Sequence, residues 1–210
     1  MRIPEAYRHI TYFGRVGSAE SNSGQSVVRA MKSVPTVEGL PDEYVALDTE
    51  TTGLRAGRDR IIEIGAVKVR DRRVVDSFSS LVNPGMVLSS TIVELTGIDD
   101  EMLAGEDHIS QILPSFFQWL GGMAIVGHNL NFDLRFLQAE AELLGQKVPR
   151  VSTYDTMYMS RRLFPQHRHH RLADLIQRFD IDDIEEHRAL SDAEQTHQCF
   201  EWMRSYMMQV

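Results

Sequence analysis

Residues 44–53 of the chain read Tyr-Val-Ala-Leu-Asp-Thr-Glu-Thr-Thr-Gly, a short apolar run that passes directly into acidic and hydroxyl residues. Such a run is typical of a central strand covered on both faces. Side chains alternate along an extended chain, so Asp48 and Glu50 project to the same face and can share one hard cation. Open α/β sheets place their ligands at the carboxyl edge of such strands. On this motif alone, a solvated carboxylate pair at a strand end is an equal alternative.

The segments around this motif predict an α/β fold. Ile61–Arg70 and Val74–Val82 are rich in β-branched residues and predict a hairpin with a tight turn at Asp71–Arg72. Ala124–Val126 predicts another buried strand, and Val151–Asp155 a last short one. Apolar spacing and end signals predict helices over residues 109–120, 129–144, 171–179 and 192–207. A hairpin followed by alternating helices and strands indicates a layered α/β fold with a mixed sheet.

Length and composition favour a single domain with its own core. The chain has 210 residues, of which 42% are apolar and 25% charged, close to the soluble average. No apolar run approaches the roughly 20 residues that span a bilayer, and the N-terminus lacks the apolar stretch of a secretory signal. The single cysteine, Cys199, excludes an internal disulfide and is expected to be a core residue on a helix. We therefore expect a cytoplasmic protein without membrane contact.

The chain also divides by composition. Residues 1–40 show no sustained period and include a Gly- and Ser-rich polar stretch at 17–24, which predicts a partly flexible N-terminal extension. Residues 41–206 are expected to form the folded domain, and 207–210 a short tail.

The net charge of −8 argues against a passive nucleic-acid binder. Two basic stretches, 55–73 and 161–171, are nevertheless candidates for contact with a polyanion, although solvated loops and a charged strand edge also explain them. The second contains His167, His169 and His170, for which a mobile, substrate-facing loop is favoured over a metal site. The acidic segment at 94–107 is expected to be a solvated surface.

Two further carboxylates and one histidine follow predicted strands or begin predicted helices. Asp133 lies in the first turn of a helix, where the helix dipole also favours an acid. The capping-box pattern Ser191–Glu194 predicts that the last helix begins at Asp192. His187 lies five residues before Asp192, in a loop from which it could act as a general base. We expect the four carboxylates and this histidine to converge at one edge of the sheet.

Three of these segments resemble the motifs of the DnaQ-like DEDDh 3′–5′ exonucleases, a family that includes the proofreading epsilon subunit of bacterial DNA polymerase III. They are Leu47–Leu54, His128–Asp133 and His187–Asp192, in family order. Lesser matches occur at residues 62–66, 95–98, 154–156 and 171–175. The resemblance covers about residues 41–206.

The resemblance implies an RNase H-like fold, a mixed five-stranded sheet with an antiparallel second strand, flanked by helices. It also implies phosphodiester hydrolysis with two divalent cations. By analogy, Asp48 bridges both cations, Glu50 and Asp192 complete the nucleophile side, and Asp133 supports the second cation. His187 takes the proton of the attacking water. Oxygen ligands favour Mg²⁺ or Mn²⁺ over zinc.

The resemblance further suggests contacts to the terminal nucleotide. The candidate residues are Thr49, Thr51, Gly53, Leu54, Leu95, Thr96, His128, Asn129 and Phe132. Among them, Leu54 would wedge against a base, whereas Leu95 and Phe132 are equally expected in the core and Gly53 can equally serve a turn. Asp155 is expected to cap the next helix rather than bind metal.

The leading expectation is a 3′–5′ exonuclease that releases 5′-mononucleotides from single-stranded or frayed 3′ ends, with DNA favoured. The alternatives are an RNA-trimming enzyme resembling oligoribonuclease or ribonuclease T, and an accessory subunit that binds a DNA polymerase. The sequence ends at Val210 without the tail by which the epsilon subunit binds its polymerase, which favours a stand-alone nuclease. Residues alone do not predict the oligomeric state.

Overall fold

Five strands form one mixed sheet in the computed structural model, which describes residues 37–209. The strands are β1 (Tyr44–Thr51), β2 (Ile61–Arg70), β3 (Arg73–Leu81), β4 (Ala124–Gly127) and β5 (Thr153–Asp155). Their order in the sheet is β3-β2-β1-β4-β5; β2 is antiparallel to β1 and β3, and β4 and β5 run parallel to β1. The expected RNase H-like sheet with an antiparallel second strand is therefore confirmed.

Within the described range, a short 3₁₀ helix at Val37–Gly39 precedes the sheet, and seven α-helices flank it. They are α1 (Ser90–Thr96), α2 (Asp100–Leu103), α3 (Ile109–Leu120), α4 (Asn131–Leu143), α5 (Thr156–Leu163), α6 (Leu172–Arg178) and α7 (Ala189–Met207). The predicted bounds of α3 agree with the structure. Helix α1 overlaps the start of the acidic segment 94–107, and α2 lies within it. The sequence predicted only a solvated surface there.

The alternation of side chains along β1 assigns one core to each face of the sheet. Tyr44 and Ala46 pack into a cluster with residues of α5, α6 and α7, whereas Val45 and Leu47 pack into a second cluster with residues of α3 and α4. Cys199 lies buried in the first cluster, as expected. Because the alternation continues, the next even-numbered side chains of β1 follow Tyr44 and Ala46 toward the α7 face.

Two helix starts differ from the prediction by two residues or more, and α6 begins one residue late, at Leu172. Helix α7 begins at Ala189 rather than Asp192, because the buried Glu63 of β2 accepts the Ala189 N–H at 2.9 Å and replaces the predicted Ser191 cap. Helix α4 begins at Asn131 because Asn129 has a φ of 55°, which interrupts the helical backbone. Both differences depend on tertiary contacts or backbone geometry that residue spacing does not report.

The expected extension at residues 1–40 falls outside the described residues except for its last four. Of these, Leu40 is buried in the α7-side cluster, so the packed core reaches at least to this residue. Among residues 37–209, no helix is both long and apolar enough to span a bilayer.

Candidate active site

The predicted carboxylates lie at the carboxyl edge of the sheet and come from both of its faces. Asp48 and Glu50 lie at the end of β1, and Asp133 and Asp192 lie in the first turns of α4 and α7. Glu50, Asp192 and His187 each offer a ligand atom within 4.8 Å of the other two. Two carboxylates and an imidazole at this spacing form a cluster of the kind that holds a cation.

A buried hydrogen bond ties β1 to α4 at this edge. Thr49 points to the α4 face of β1, and its hydroxyl donates to Asp133 Oδ1 at 2.7 Å. Both side chains are buried. The bond orients the Asp133 carboxylate beside Asp48 and Glu50, so the alternation of β1 supplies two candidate ligands on one face and a support for the third on the other.

The electrostatics of the cluster are those of crowded carboxylates. Burial, followed by the neighbouring charges of Asp133 and Glu50, raises the pKa of Asp48 well above its usual value. Burial also raises the pKa of Glu50 to about 8 and the pKa values of Asp133 and Asp192 to about 7. Four anions held this closely are stabilised by a positive charge among them.

One buried acceptor supports the same conclusion. Asp192 Oδ1 is inaccessible to solvent and has no hydrogen-bond partner among the described residues. An unpaired buried carboxylate oxygen is costly unless another group satisfies it. Because Asp192 faces the cluster beside Glu50, these carboxylate oxygens fit a hard divalent cation.

His187 stands in a loop of unusual backbone geometry. Its φ is 51°, in the left-handed region that a non-glycine residue adopts at a cost. The side chain is half-buried, and Nδ1 lies 3.8 Å from Glu185 Oε1. The other oxygen of Glu185 accepts the Ala173 N–H of α6 at 2.9 Å. Glu185 therefore links the histidine loop to α6.

A cavity of about 640 Å³ opens beside the carboxylates. Its lining includes Asp48, His128, Asn129, Met157, Arg171 and His187. His128 shares a hydrogen bond of 2.9 Å with the Thr156 hydroxyl, and burial lowers its pKa to about 4, so its ring is neutral at pH 7. The cavity thus brings the predicted His128 and Asn129 beside Asp48.

The loop after β1 contains three more of the predicted nucleotide contacts. The Thr51 hydroxyl donates to the Gly53 carbonyl oxygen at 2.6 Å and closes the turn. A Cβ at Gly53 would lie 2.5 Å from the Asp59 carboxylate, so glycine allows the loop to close on itself. Leu54 at the tip is 81% exposed, the arrangement that a wedge against a base requires.

The last three predicted contacts differ in exposure. Thr96 is buried, and its hydroxyl donates to the Ile92 carbonyl at the end of α1, whereas Leu95 is 48% exposed. Phe132 is half-buried, with its ring centre 4.9 Å from that of Phe136. The Thr96 hydroxyl is thus occupied within its own helix end.

The basic segment between α5 and α6 is held in place beside the cavity. His170 is buried and hydrogen bonds with Ser160 Oγ at 2.8 Å and with the His167 carbonyl at 3.0 Å. Arg168 and Arg171 are exposed, and Arg171 also lines the cavity. His170 therefore anchors the loop, whereas Arg168 faces outward and Arg171 is paired with Asp174 at 3.0 Å.

Two carboxylates near the site received no role from the sequence. Glu185 contacts the histidine loop as described, and Glu63 is buried on β2. Two signals pointed to Glu63, the lesser family match at residues 62–66 and the presence of an acid inside the apolar start of β2, where a buried charge requires a partner. Asp155, in contrast, caps α5 as expected, accepting the Tyr158 N–H at 3.0 Å.

Comparisons with known proteins agree with this geometry. The chain matches the family model described as Exonuclease over residues 45–200. The PolC-type DNA polymerase III of Caldanaerobacter subterraneus subsp. tengcongensis is 35% identical over 199 residues, which cover 90% of this chain and 14% of that polymerase. The PolC-type polymerase of Bacillus subtilis is 36% identical over 192 residues, covering 85% of this chain and 13% of its own length. The chain thus spans a small part of these relatives.

Solved structures give the same fold. Exonuclease X in complex with 5′ overhanging duplex DNA superimposes with a TM-score of 0.64 and 27% identity, covering 77% of this chain and 92% of that one. Escherichia coli exonuclease I in complex with a dA16 oligonucleotide has a TM-score of 0.69 over 79% of this chain and 41% of its own. At 16% identity, this second likeness concerns the fold alone.

Proposed function

Because the chain belongs to the DnaQ-like 3′–5′ exonuclease family, we propose that it hydrolyses the terminal phosphodiester of single-stranded or frayed DNA 3′ ends and releases 5′-mononucleotides. The observation that carries the proposal is the convergence of Glu50, Asp192 and His187 within 4.8 Å, beside Asp48 and Asp133. No ordinary core packing explains four crowded carboxylates with raised pKa values.

The residues divide the chemistry among them. Asp48, Glu50, Asp133 and Asp192 would hold two divalent cations, Mg²⁺ or Mn²⁺, which when bound would stabilise the negative charge on the attacking, equatorial and leaving oxygens. His187 accepts the proton of the attacking water. Its half-exposed ring in a loop can reach a water molecule.

Glu185 would orient His187 for this proton transfer. With Nδ1 of His187 facing the Glu185 carboxylate, Nε2 is left as the basic nitrogen. The Glu185 carboxylate, 3.8 Å from Nδ1, would face the positive charge that the ring carries after it has accepted the proton.

The choice of DNA rests on the relatives and on the shape of the site. Exonuclease X, described in complex with 5′ overhanging duplex DNA, is the structural relative with the larger identity, and the sequence relatives are DNA polymerases. The exposed Leu54 can separate a terminal base, and the exposed Arg168 can hold a strand phosphate. A DNA polymerase is the candidate partner, and a cytoplasmic location is part of the same proposal.

The test uses a 5′-labelled single-stranded DNA oligonucleotide with Mg²⁺ or Mn²⁺. The native protein should give a descending ladder, and Asp48→Ala and His187→Ala should each slow it by a factor of about 10² or more. Glu194→Gln, an exposed carboxylate on α7, serves as the matched control and should retain native activity. No shortening by the native protein with either cation would refute the proposal.

A competition experiment separates DNA from RNA. Equal amounts of labelled DNA and RNA oligonucleotides of one sequence are offered together, and each 3′ end is followed. Faster loss of DNA is expected. A clear preference for RNA would replace the proposal by an RNA-trimming activity at the same site.

A further inference from the structure

We propose that Glu63 and Arg188 form a positioning clamp, which seats the start of α7 on β2 and thereby holds His187 and Asp192 in their working positions. The inference rests on the proposed function and extends it to residues that touch neither substrate nor cation. The clamp makes His187 and Asp192 face β1 together.

The clamp consists of three hydrogen bonds to one buried carboxylate. Glu63 is 1% exposed, and Arg188 donates to it from Nη2 at 2.8 Å and from Nε at 3.2 Å. The Ala189 N–H, the first of α7, donates to Glu63 Oε2 at 2.9 Å. A two-pronged arginine contact together with a backbone donor fixes the direction as well as the distance of the helix start.

Gly65, two residues along β2, shows how closely the helix start is seated. A Cβ at this position would lie 2.1 Å from the Ala189 carbonyl carbon and from the Leu190 nitrogen. The backbone of α7 therefore rests directly on the backbone of β2, and only glycine permits this approach. Glu63 and Gly65 project to the same face, so one strand supplies both the anchor and the seat.

The register of the sheet places this clamp beside the candidate metal ligands. In the β1–β2 pair, Glu50 lies opposite Glu63 and Asp48 lies opposite Gly65. Residues directly opposite in an antiparallel pair share a face. Arg188 occupies the Glu63 carboxylate with two hydrogen bonds, which keeps Glu63 from acting as a further ligand next to Glu50.

The two functional residues of this segment lie on either side of the clamp. His187 immediately precedes Arg188 and has the strained φ of 51°, and Asp192 lies one helical turn after Ala189. A strained residue keeps its conformation only where its surroundings enforce it. Anchoring the two residues that follow His187 provides this enforcement, and the same anchor sets the rotation and height of Asp192.

The first test compares Glu63→Gln with Glu201→Gln. Glutamine keeps an acceptor for the Ala189 N–H but loses the charged pairing with Arg188. Glu201 is a matched control because it is also a largely buried carboxylate on α7, and it accepts a hydrogen bond from the Tyr44 hydroxyl of β1 at 2.9 Å toward the other end of the helix. Both variants are measured for exonuclease kcat and KM and for thermal unfolding.

We expect Glu63→Gln to lower kcat by about tenfold to a hundredfold with KM within about twofold, since small misplacements of reacting groups cost factors of this size. Arg188→Met should give the same pattern, and Arg188→Lys should restore part of kcat. Glu201→Gln should lower the unfolding temperature similarly while kcat stays native. Native kcat in Glu63→Gln, or an equal loss in Glu201→Gln, would overturn the inference.

A second measurement does not depend on activity. In ¹⁵N–¹H spectra of the metal-free protein, Glu63→Gln should shift the amide signals of His187, Ala189 and Asp192 more than Glu201→Gln does. Unchanged signals would refute the clamp even if the native protein is an active nuclease. If the native protein has no nuclease activity but Glu63→Gln still shifts these signals, the proposed function is refuted and the clamp is retained.

Discussion

Replacing Asp192 by asparagine should stabilise the metal-free protein while abolishing its activity. The pKa of this buried carboxyl rises from 3.8 to about 7, and each pH unit corresponds to about 1.4 kcal/mol, so the ionised form costs the metal-free fold at most about 4 kcal/mol at pH 8. The sign follows from the raised value. Below pH 4 the group is protonated in the folded and unfolded chain alike, the cost grows between pH 4 and 7, and it is complete above 7.

The expected gain is smaller than this limit because Asp48, Glu50 and Asp133 still repel one another in the variant. We expect Asp192→Asn to unfold with a free energy about 1–2 kcal/mol above that of the native protein in EDTA at pH 8, and with no difference at pH 4. Urea unfolding followed by circular dichroism measures both values.

Added Mn²⁺ should reverse the order of stability, because the native site binds the cation and the variant binds it less well. Glu194→Gln, on the same helix but exposed, should change the unfolding free energy by less than about 0.5 kcal/mol in either condition. If Asp192→Asn is less stable than the native protein in EDTA at pH 8, the electrostatic account of the site is wrong.

Three further perturbations probe the supports of the site. Thr49→Val removes the 2.7 Å hydrogen bond to Asp133 and should lower kcat roughly tenfold and the unfolding free energy by about 1 kcal/mol. Steady-state kinetics and thermal unfolding measure the two effects. A native kcat would show that Asp133 needs no such support. Gly65→Ala should destabilise the fold by about 3 kcal/mol or more in urea, because its Cβ meets the α7 backbone; a native midpoint would contradict the close seating. Arg168→Ala, in an Asp48→Ala background, should weaken DNA binding in fluorescence anisotropy and reduce the slope of its salt dependence by about 1. Arg150→Ala, at an exposed position before β5, is the control and should leave binding unchanged. Equal effects of the two substitutions would exclude a specific role for the α5–α6 loop.

Those parts of the fold whose partners are near in sequence could be predicted from local patterns. The hairpin at Asp71–Arg72 is one example, since both turn residues have positive φ and join strands that pair directly. Helix α3 is another, because its apolar spacing and Gly121 mark the whole element. Such signals are local, and the structure agrees with them.

The site was predictable to the extent that its residues follow strand ends. Alternation placed Asp48 and Glu50 on one face, and the structure brings Glu50, Asp192 and His187 together as expected. The predicted start of α7 was wrong because residue spacing indicated a cap at Ser191. The first N–H of the helix is instead accepted by Glu63, more than a hundred residues away in sequence. A contact across the sheet has no signature in the local pattern of either segment.

The distribution of charge explains how an acidic chain can act on a polyanion. The carboxylates are concentrated at one end of the sheet, where bound cations would invert the local field. Arg168 is exposed on an anchored loop, and Arg171, at the end of that loop, lines the same cavity and is paired with Asp174. The net charge of −8 averages over both features and over the acidic surface near α2, so it is a poor guide to binding. The 3′ terminus would then be held by cations on Asp48 and its neighbours, and the rest of the strand by basic side chains such as Arg168. Hydrolysis would be confined to an end that reaches the carboxylates, because only there are the cations bound.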